Sequence, residues 1–294
     1  MSSLPTGSMK KLMEEKKLMK PLWIAFPEYC FCSMAWRMGF GESYADSFRE
    51  WFGQFSEEDR ELYRKMFPTP VGWRGWWVDC FEEMDNLNFC NHERLFTGNW
   101  NPSGSTKYSA DWFNNELNEK KEICVKSLKL VDKEYNFPSP WAYISFSAPL
   151  RDPEDYLDSV MDYALNCWYI YTGDIKLNVY CEEVFYEPTK WKDLKENFYN
   201  YSDDEWMELF PQILALGYYY QISQHDELVK LVLESNENDV FFFHGEDDLV
   251  LGCDLSEDNS VMVGKNLLGF ALTNACYEIR RIYKNVQYCE SFEN

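Results

Sequence analysis

The apolar pattern near the end of the chain constrains the fold more than any other feature. Apolar residues recur there at helical spacing, at Leu268, Leu272, Ala275, Ile279 and Ile282. This spacing predicts an amphipathic helix with one buried face. With 294 residues, the chain is long enough to supply the core that such a helix packs against, in one large domain or two modest ones.

The tripeptide before this helix, Gly264-Lys265-Asn266, suits two different roles. Asn266 is a good N-cap residue, so the tripeptide predicts a helix start. A helix start offers N–H groups and a positive dipole to an anion, while Lys265 adds a charge and Gly264 permits close backbone approach. The same residues therefore predict either a phosphate cradle or the ordinary start of a buried helix. The GxxxxGK[ST] and GxGxxG phosphate motifs do not occur.

Helix-like and strand-like segments alternate along the rest of the chain. The predicted helices are Ser43–Gln54, Ser56–Phe67, a segment that starts at Asp152, Ser202–Ser223 with a break at Pro211, and Gln224–Asn236. The predicted strands are Phe137–Pro149, Ile175–Glu187 and Asp239–Gly245, and Glu116–Lys133 suits a hairpin or a helix. This mixture predicts an α+β fold that is mainly helical with a small sheet.

Composition suggests three parts of the chain. Residues 1–20 contain Met9–Lys20, a short basic amphipathic helix or arm, and residues 21–136 form an aromatic-rich region of unknown type. Within that region, "WRMGFGES" suits a tight turn or a ligand contact, and "VGWRGWW" suits core packing or a partner surface. Residues 137–294 form the third part.

The net charge of −22 limits the possible partners. Such a surface repels nucleic-acid phosphates and anionic membranes, so we expect neither nonspecific nucleic-acid binding nor membrane association. The acidity gives solubility, and it also suits a basic protein partner.

The ten cysteines contain no CxxC pair and no zinc-ligand spacing, so no metal and no cofactor are expected. No signal peptide and no membrane-spanning apolar run are visible. We therefore expect a cytoplasmic protein with reduced, mostly buried thiols.

Two stretches, "ISQHDELVKLVLESNENDVFFFHGEDDLVLG" and "GKNLLGFAL", follow one another in the C-terminal part. In order and spacing they resemble the NADAR (NAD and ADP-ribose associated) family over about residues 212–283. The matching positions are Gln224, His225, Glu227, Leu228, Leu231, Leu233, His244, Asp248, Gly252, Gly264, Lys265, Asn266, Leu268 and Gly269.

The resemblance implies binding of ADP-ribose or a ribosyl phosphate and hydrolysis of a base–ribose bond. Because cleavage builds an oxocarbenium-like centre, a carboxylate is the expected catalytic group. Asp248 is the first candidate, Glu246 and Asp247 are alternatives, and Glu42 is a distant substitute for the glutamate of the family's "SxEHYFQAxK" motif. The implied ligand-binding residues are Gly264, Lys265, Asn266, His244 and Gly269.

The chain also departs from the family pattern. The "SxEHYFQAxK" motif is absent, Phe243 stands in place of a glutamate, and Leu251 stands in place of a tryptophan. These departures leave a second hypothesis open. The chain would then be an acidic protein-interaction module, such as an inhibitor, an immunity factor or a regulator, without catalysis.

Overall fold

The computed structural model describes residues 7–31, 33–70, 73, 76–79, 128–131, 137–140, 142–148, 155–172, 203–237, 239–244, 251–255 and 262–290. Their α-helices are α1 (Ser8–Glu14), α2 (Leu22–Ala25), α3 (Phe40–Gly53), α4 (Glu57–Met66), α5 (Trp76–Asp79), α6 (Val160–Thr172), α7 (Asp203–Ser223), α8 (Asp226–Glu234) and α9 (Leu267–Tyr283). Their strands are β1 (Leu128–Leu130), β2 (Phe146–Ala148), β3 (Asp155–Leu157), β4 (Val240–Phe242), β5 (Cys253–Leu255) and β6 (Met262–Gly264). Short 3-10 helices lie at Met34–Arg37 and Val286–Tyr288.

These elements confirm an α+β fold that is mainly helical with small sheets. Strand β1 pairs in parallel with β4, whereas β2 with β3 and β5 with β6 are antiparallel pairs. Strand β1 falls in the stretch for which the sequence suggested a hairpin or a helix. Its pairing was not foreseen because the partner strand is far away in the chain. The strand expected over Phe137–Pro149 is confirmed only for β2.

Helices α3 and α4 form where the sequence places them. The Ser56 hydroxyl accepts a hydrogen bond from the Asp59 backbone N–H at 3.2 Å, and three acids occupy the first turn of α4. This arrangement satisfies a free donor and complements the helix dipole. Helix α3 starts at Phe40, earlier than the predicted Ser43, directly after Gly39, whose φ of 76° favours glycine.

Aromatic side chains form the core of the N-terminal region. The Trp77 ring contacts the Trp23, Phe52 and Tyr63 rings at centroid distances of 5.4, 5.2 and 5.9 Å. Trp23, Phe52 and Tyr63 are fully buried. Stacked and edge-to-face contacts such as these stabilise a core beyond the area that they bury. The "VGWRGWW" stretch thus contributes Trp73, Trp76 and Trp77 to packing.

The C-terminal region is built on α7 and α9, which pack against each other and on α6 and α8. The break predicted at Pro211 is wrong, because α7 runs through Pro211 as one helix. Its neighbour Phe210, together with Leu214 and Tyr218 further along α7, is fully buried, so core packing keeps the helix continuous. None of the described helices is long and apolar enough to cross a membrane.

Helix α6 begins later than the sequence predicted. The helix expected from Asp152 starts at Val160, and strand β3 occupies the residues before it. The Ser159 hydroxyl accepts a hydrogen bond from the Asp162 N–H at 3.1 Å and marks the helix start.

The segment after α1 contacts the segment after α9 through backbone hydrogen bonds. The Leu18 backbone N–H donates to Tyr288, and the Tyr63 hydroxyl donates to the Met19 carbonyl at 2.6 Å. The helix expected within Met9–Lys20 is α1, which ends at Glu14, and its last predicted turns form this junction instead.

Candidate ligand site at the end of β4

Asn266 stands at the N-cap position of α9, but its side chain makes no capping hydrogen bond. The residue adopts the left-handed conformation, with φ 52° and ψ 40°, and it is fully buried. The predicted helix start at Asn266 is therefore confirmed, although the Asn266 side chain does not cap the helix. Asparagine tolerates this backbone better than most residues, which explains how the chain turns into the helix here.

The Asn266 carboxamide is joined to the edge of strand β4. Its Nδ2 donates to the Phe241 carbonyl at 2.9 Å, and its Oδ1 accepts from the Phe243 N–H at 3.3 Å. The Thr273 hydroxyl accepts from the Phe241 N–H at 3.0 Å. Side chains of α9 therefore satisfy edge groups of β4 as a neighbouring strand would.

Gly269 serves close packing of the same helix. A Cβ atom at this position would lie 2.2 Å from the Phe241 carbonyl oxygen and 2.4 Å from Asn266 Oδ1. No side chain fits at such distances, so glycine is required for α9 to approach β4. For Asn266 and Gly269, the structure thus shows the packing role that was one of the two sequence alternatives.

The start of α9 is also covered by backbone. The Leu268 N–H donates to the Leu251 carbonyl, and the Asn266 N–H donates to the Gly252 carbonyl, both at 3.0 Å. At least one N–H of the first helical turn is therefore already bonded within the protein. An anion at this end of the sheet would have to rely on side chains more than on this helix start.

Three polar side chains remain accessible where the end of β4 lies beside β5 and β6. His244 Nδ1 lies 3.3 Å from Asp254 Oδ1, and both side chains are about half exposed. Lys265 is exposed and follows Gly264, whose φ is 119°. The backbone brings these residues onto adjacent strands, because His244 bridges Cys253 and Cys253 pairs with Gly264.

This arrangement can bind an anion and move a proton. Lys265 supplies a cationic side chain in an acidic protein, and His244 supplies an imidazole, the side chain that most often acts as a general acid or base. Asp254 orients the imidazole through Nδ1. Val263, which pairs with Asp254, adds a half-exposed apolar side chain.

The described residues do not bring the three predicted catalytic residues to this site. Asp248 and Glu246 lie outside the described residues, on the segment between β4 and β5. Glu42 lies exposed in the first turn of α3, in the aromatic N-terminal region.

Cysteine chemistry is not favoured here. Burial raises the pKa of the Cys253 thiol to about 12, so it is protonated near neutral pH. Among the described residues, no group of histidine, cysteine and acidic side chains is arranged to hold a metal ion.

Gln224 and His225, two positions of the family resemblance, contact the backbone in and just before strand β2. The Gln224 carboxamide accepts from the Ser147 N–H at 2.8 Å and donates to the Ser147 carbonyl at 2.7 Å. His225 Nε2 lies 3.0 Å from the Ser145 carbonyl oxygen. Both positions are therefore occupied by contacts within the fold.

Sequence reasoning missed Asp254 and Thr273. Asp254 alternates with two apolar residues in β5, which is a weak signal of a polar position on a strand. Asn266, Gly269 and Thr273 share helical spacing inside an otherwise apolar pattern. That polar stripe on a buried face was the available signal for a helix–strand contact.

Comparisons with protein-family models, with curated proteins and with solved structures gave no match for this chain.

Proposed function

We propose that the protein binds ADP-ribose or a related ribosyl phosphate at the exposed end of β4, β5 and β6. The observation that carries this proposal is the position of the half-exposed His244–Asp254 pair. Asp254 lies on β5, which pairs with β6, and the exposed Lys265 directly follows β6. Lys265 binds phosphate oxygens, and Gly264 lets the ligand approach the backbone. The resemblance to the NADAR family supports the same class of ligand.

The reaction that goes with this ligand is hydrolysis of the bond between a base and ribose. The leaving base takes the bonding electrons, the ribose carbon becomes cationic, and water adds to it. Asp248, or Glu246 in its place, stabilises that centre and takes the proton of the water. In this proposal His244 protonates the leaving base.

Calorimetric titration with ADP-ribose tests the binding step. We expect Lys265→Ala to weaken binding about tenfold or more, which corresponds to about 1.4 kcal/mol. Lys230→Ala is the matched control, because Lys230 is an exposed lysine on α8 that pairs with Glu234. Equal affinity of the wild-type protein and both variants, or no heat from any of them, would refute the proposal.

Chromatographic detection of released base tests the chemical step separately. We expect Asp248→Asn to abolish release while ADP-ribose still binds. Release at the wild-type rate by both Asp248→Asn and Glu246→Gln would assign the chemistry to other residues.

A second proposed function is capture of a basic partner protein. A specific observation favours it: exposed apolar side chains lie next to exposed acids on α3. Because such binding has a large electrostatic component, we expect capture of the partner to weaken from low to high salt. Capture that is independent of salt would contradict this function.

A further inference from the structure

Exposed apolar side chains are concentrated at one place in the described part of the chain. Met34, Met38 and Phe40 are 55%, 67% and 72% exposed. The other large exposed apolar residues of the described part lie elsewhere, at Tyr143, Tyr156, Leu233 and Val263. Such a concentration marks an interaction surface more often than a random exposed side chain does.

The backbone under these side chains is firmly held. A Cβ atom at Gly41 would lie 2.5 Å from the Ala35 carbonyl oxygen, so the short 3-10 helix and α3 are in close contact. The Ser33 hydroxyl accepts from the Ala35 N–H at 3.0 Å, and Trp36 Nε1 donates to the Cys30 carbonyl at 2.7 Å. The "WRMGFGES" stretch is thus a tight turn that holds the backbone of Met38 and Phe40.

Phe40 also packs against an aromatic cluster. Its ring meets the Phe26 ring at 5.7 Å in an edge contact, and Phe26 meets Trp36 and Tyr44 at 5.8 and 5.1 Å. One side of the Phe40 ring is therefore anchored while the rest faces solvent. A preordered aromatic side chain loses little entropy on binding, which is typical of interface anchors.

Acidic residues continue from this apolar surface along α3. Glu42, Asp46 and Glu50 are spaced four residues apart and are all exposed, so they share one helix face. Arg49 pairs with Asp46 at 2.8 Å, but it is a single cation in a face of three acids. The surface thus combines an apolar end, which also carries the exposed Arg37, with an acidic stripe on α3.

We propose that this surface, formed by Met34, Met38, Phe40, Glu42, Asp46 and Glu50, binds an amphipathic basic helix of a partner protein. Apolar residues of that helix contact Met34, Met38 and Phe40, and its lysines or arginines contact the acids. The acids and the net charge of −22 repel an anionic membrane or a nucleic acid, so a protein is the favoured occupant. This inference rests on the second proposed function and names its surface and partner class.

Fluorescence anisotropy with a labelled amphipathic helix of leucine and lysine tests the surface. We expect the peptide to bind the wild-type protein, and we expect Phe40→Ser to weaken binding about tenfold or more. Leu233→Ser is the matched control, because Leu233 is an exposed leucine on α8. Circular dichroism of each variant establishes that the fold is retained.

Charge variants separate electrostatic attraction at this surface from general acidity. We expect Asp46→Lys to weaken peptide binding more than Glu58→Lys, an exposed acid on α4. A peptide with glutamate in place of lysine should not bind.

The outcomes distinguish the two levels of the proposal. Peptide binding that Phe40→Ser and Asp46→Lys leave unchanged would overturn the surface while the second proposed function stands. No binding to any variant would overturn both. A dimer of the free protein that Phe40→Ser dissociates, measured by sedimentation, would make this surface a contact between copies of the chain and overturn the partner assignment.

Discussion

Strands β4 and β2 each have an edge that is closed by a carboxamide side chain, and the two contacts differ in burial and in geometry. Asn266 contacts Phe241 and Phe243, two residues apart, as a neighbouring parallel strand would. Gln224 exchanges two hydrogen bonds with Ser147 alone, as a residue of an antiparallel strand would.

Burial sets the energetic weight of the two contacts. Asn266 is fully buried, so removal of its carboxamide leaves the Phe241 carbonyl and the Phe243 N–H without a hydrogen-bond partner and without access to water. Gln224 is half-buried, and solvent can replace part of its contact. We call the β4 edge that Asn266 contacts the inner edge, and the β2 edge that Gln224 contacts the outer edge. The comparison teaches that a carboxamide contact stabilises the fold strongly at the buried inner edge and weakly at the half-buried outer edge. Three predictions test this difference, from the largest expected effect to the smallest, and a fourth concerns pH.

Removal of the Asn266 carboxamide should have the largest effect. We expect Asn266→Ala to lower the free energy of unfolding by about 3 kcal/mol or more, because it leaves the Phe241 carbonyl and the Phe243 N–H unsatisfied. Urea unfolding followed by circular dichroism measures this change. Asn285→Ala is the control, since Asn285 makes one side-chain hydrogen bond, to Met66, and should cost less.

Addition of one methyl group at the inner edge should also be costly. We expect Gly269→Ala to destabilise the protein by about 1–3 kcal/mol, because the new Cβ forces α9 away from Phe241. At Gly53, at the end of α3, an added Cβ meets nothing within 4 Å. Gly53→Ala should therefore be neutral or stabilising. Equal destabilisation by both substitutions, measured by thermal unfolding, would argue against close contact of α9 with β4.

A smaller effect is expected at the outer edge. Gln224→Ala should lower the free energy of unfolding by about 1 kcal/mol, because Gln221 and His225 still contact the backbone of the same segment. The same urea measurement applies. A loss as large as that of Asn266→Ala would remove the distinction between the two edges.

The smallest effect concerns pH at the start of α6, beside β3. Burial is the main cause that raises the pKa of the Asp162 carboxyl above its ordinary value, although hydrogen bonds to it act in the opposite direction. A raised folded-state pKa disfavours the charged form, so the wild-type protein loses stability as pH rises from the unfolded pKa through the folded one.

Asp162→Asn removes this titration. We therefore expect the wild-type protein to gain stability relative to the variant as pH falls through the acidic range. Urea unfolding at several pH values measures the difference between them. A wild-type protein that loses stability relative to the variant on acidification would give the opposite sign and reject this assignment.

The sequence predicted the local features of the fold better than its long-range contacts. The helix that starts at Ser56 and the periodic apolar face of α9 are local patterns, and both are confirmed. The continuity of α7 through Pro211 depends on burial by distant segments, which local propensity does not encode. The β1–β4 pairing is missed for the same reason.

The sequence predicted which segment contains the candidate site, but not which of its residues pack inside the fold and which are exposed. Gly264, Lys265, Asn266 and Gly269 were grouped as ligand-binding because the family resemblance implies that role. The left-handed backbone of Asn266 turns its side chain toward β4, whereas Lys265 is exposed. Backbone conformation of this kind depends on the tertiary contact with Phe241 and Phe243, so a capping residue and a strand contact look alike in sequence.

The central claim is that adjacent residues of this segment have separate roles, Asn266 in the fold and Lys265 in ligand binding. Thermal unfolding of the wild-type protein, Asn266→Ala and Lys265→Ala with increasing ADP-ribose tests it most directly. We predict that Asn266→Ala lowers the midpoint by about 5 °C or more and keeps the ligand-induced rise, whereas Lys265→Ala keeps the midpoint and loses the rise. An unchanged midpoint for Asn266→Ala, or a ligand response that is absent from the wild-type protein or retained by Lys265→Ala, would contradict the claim.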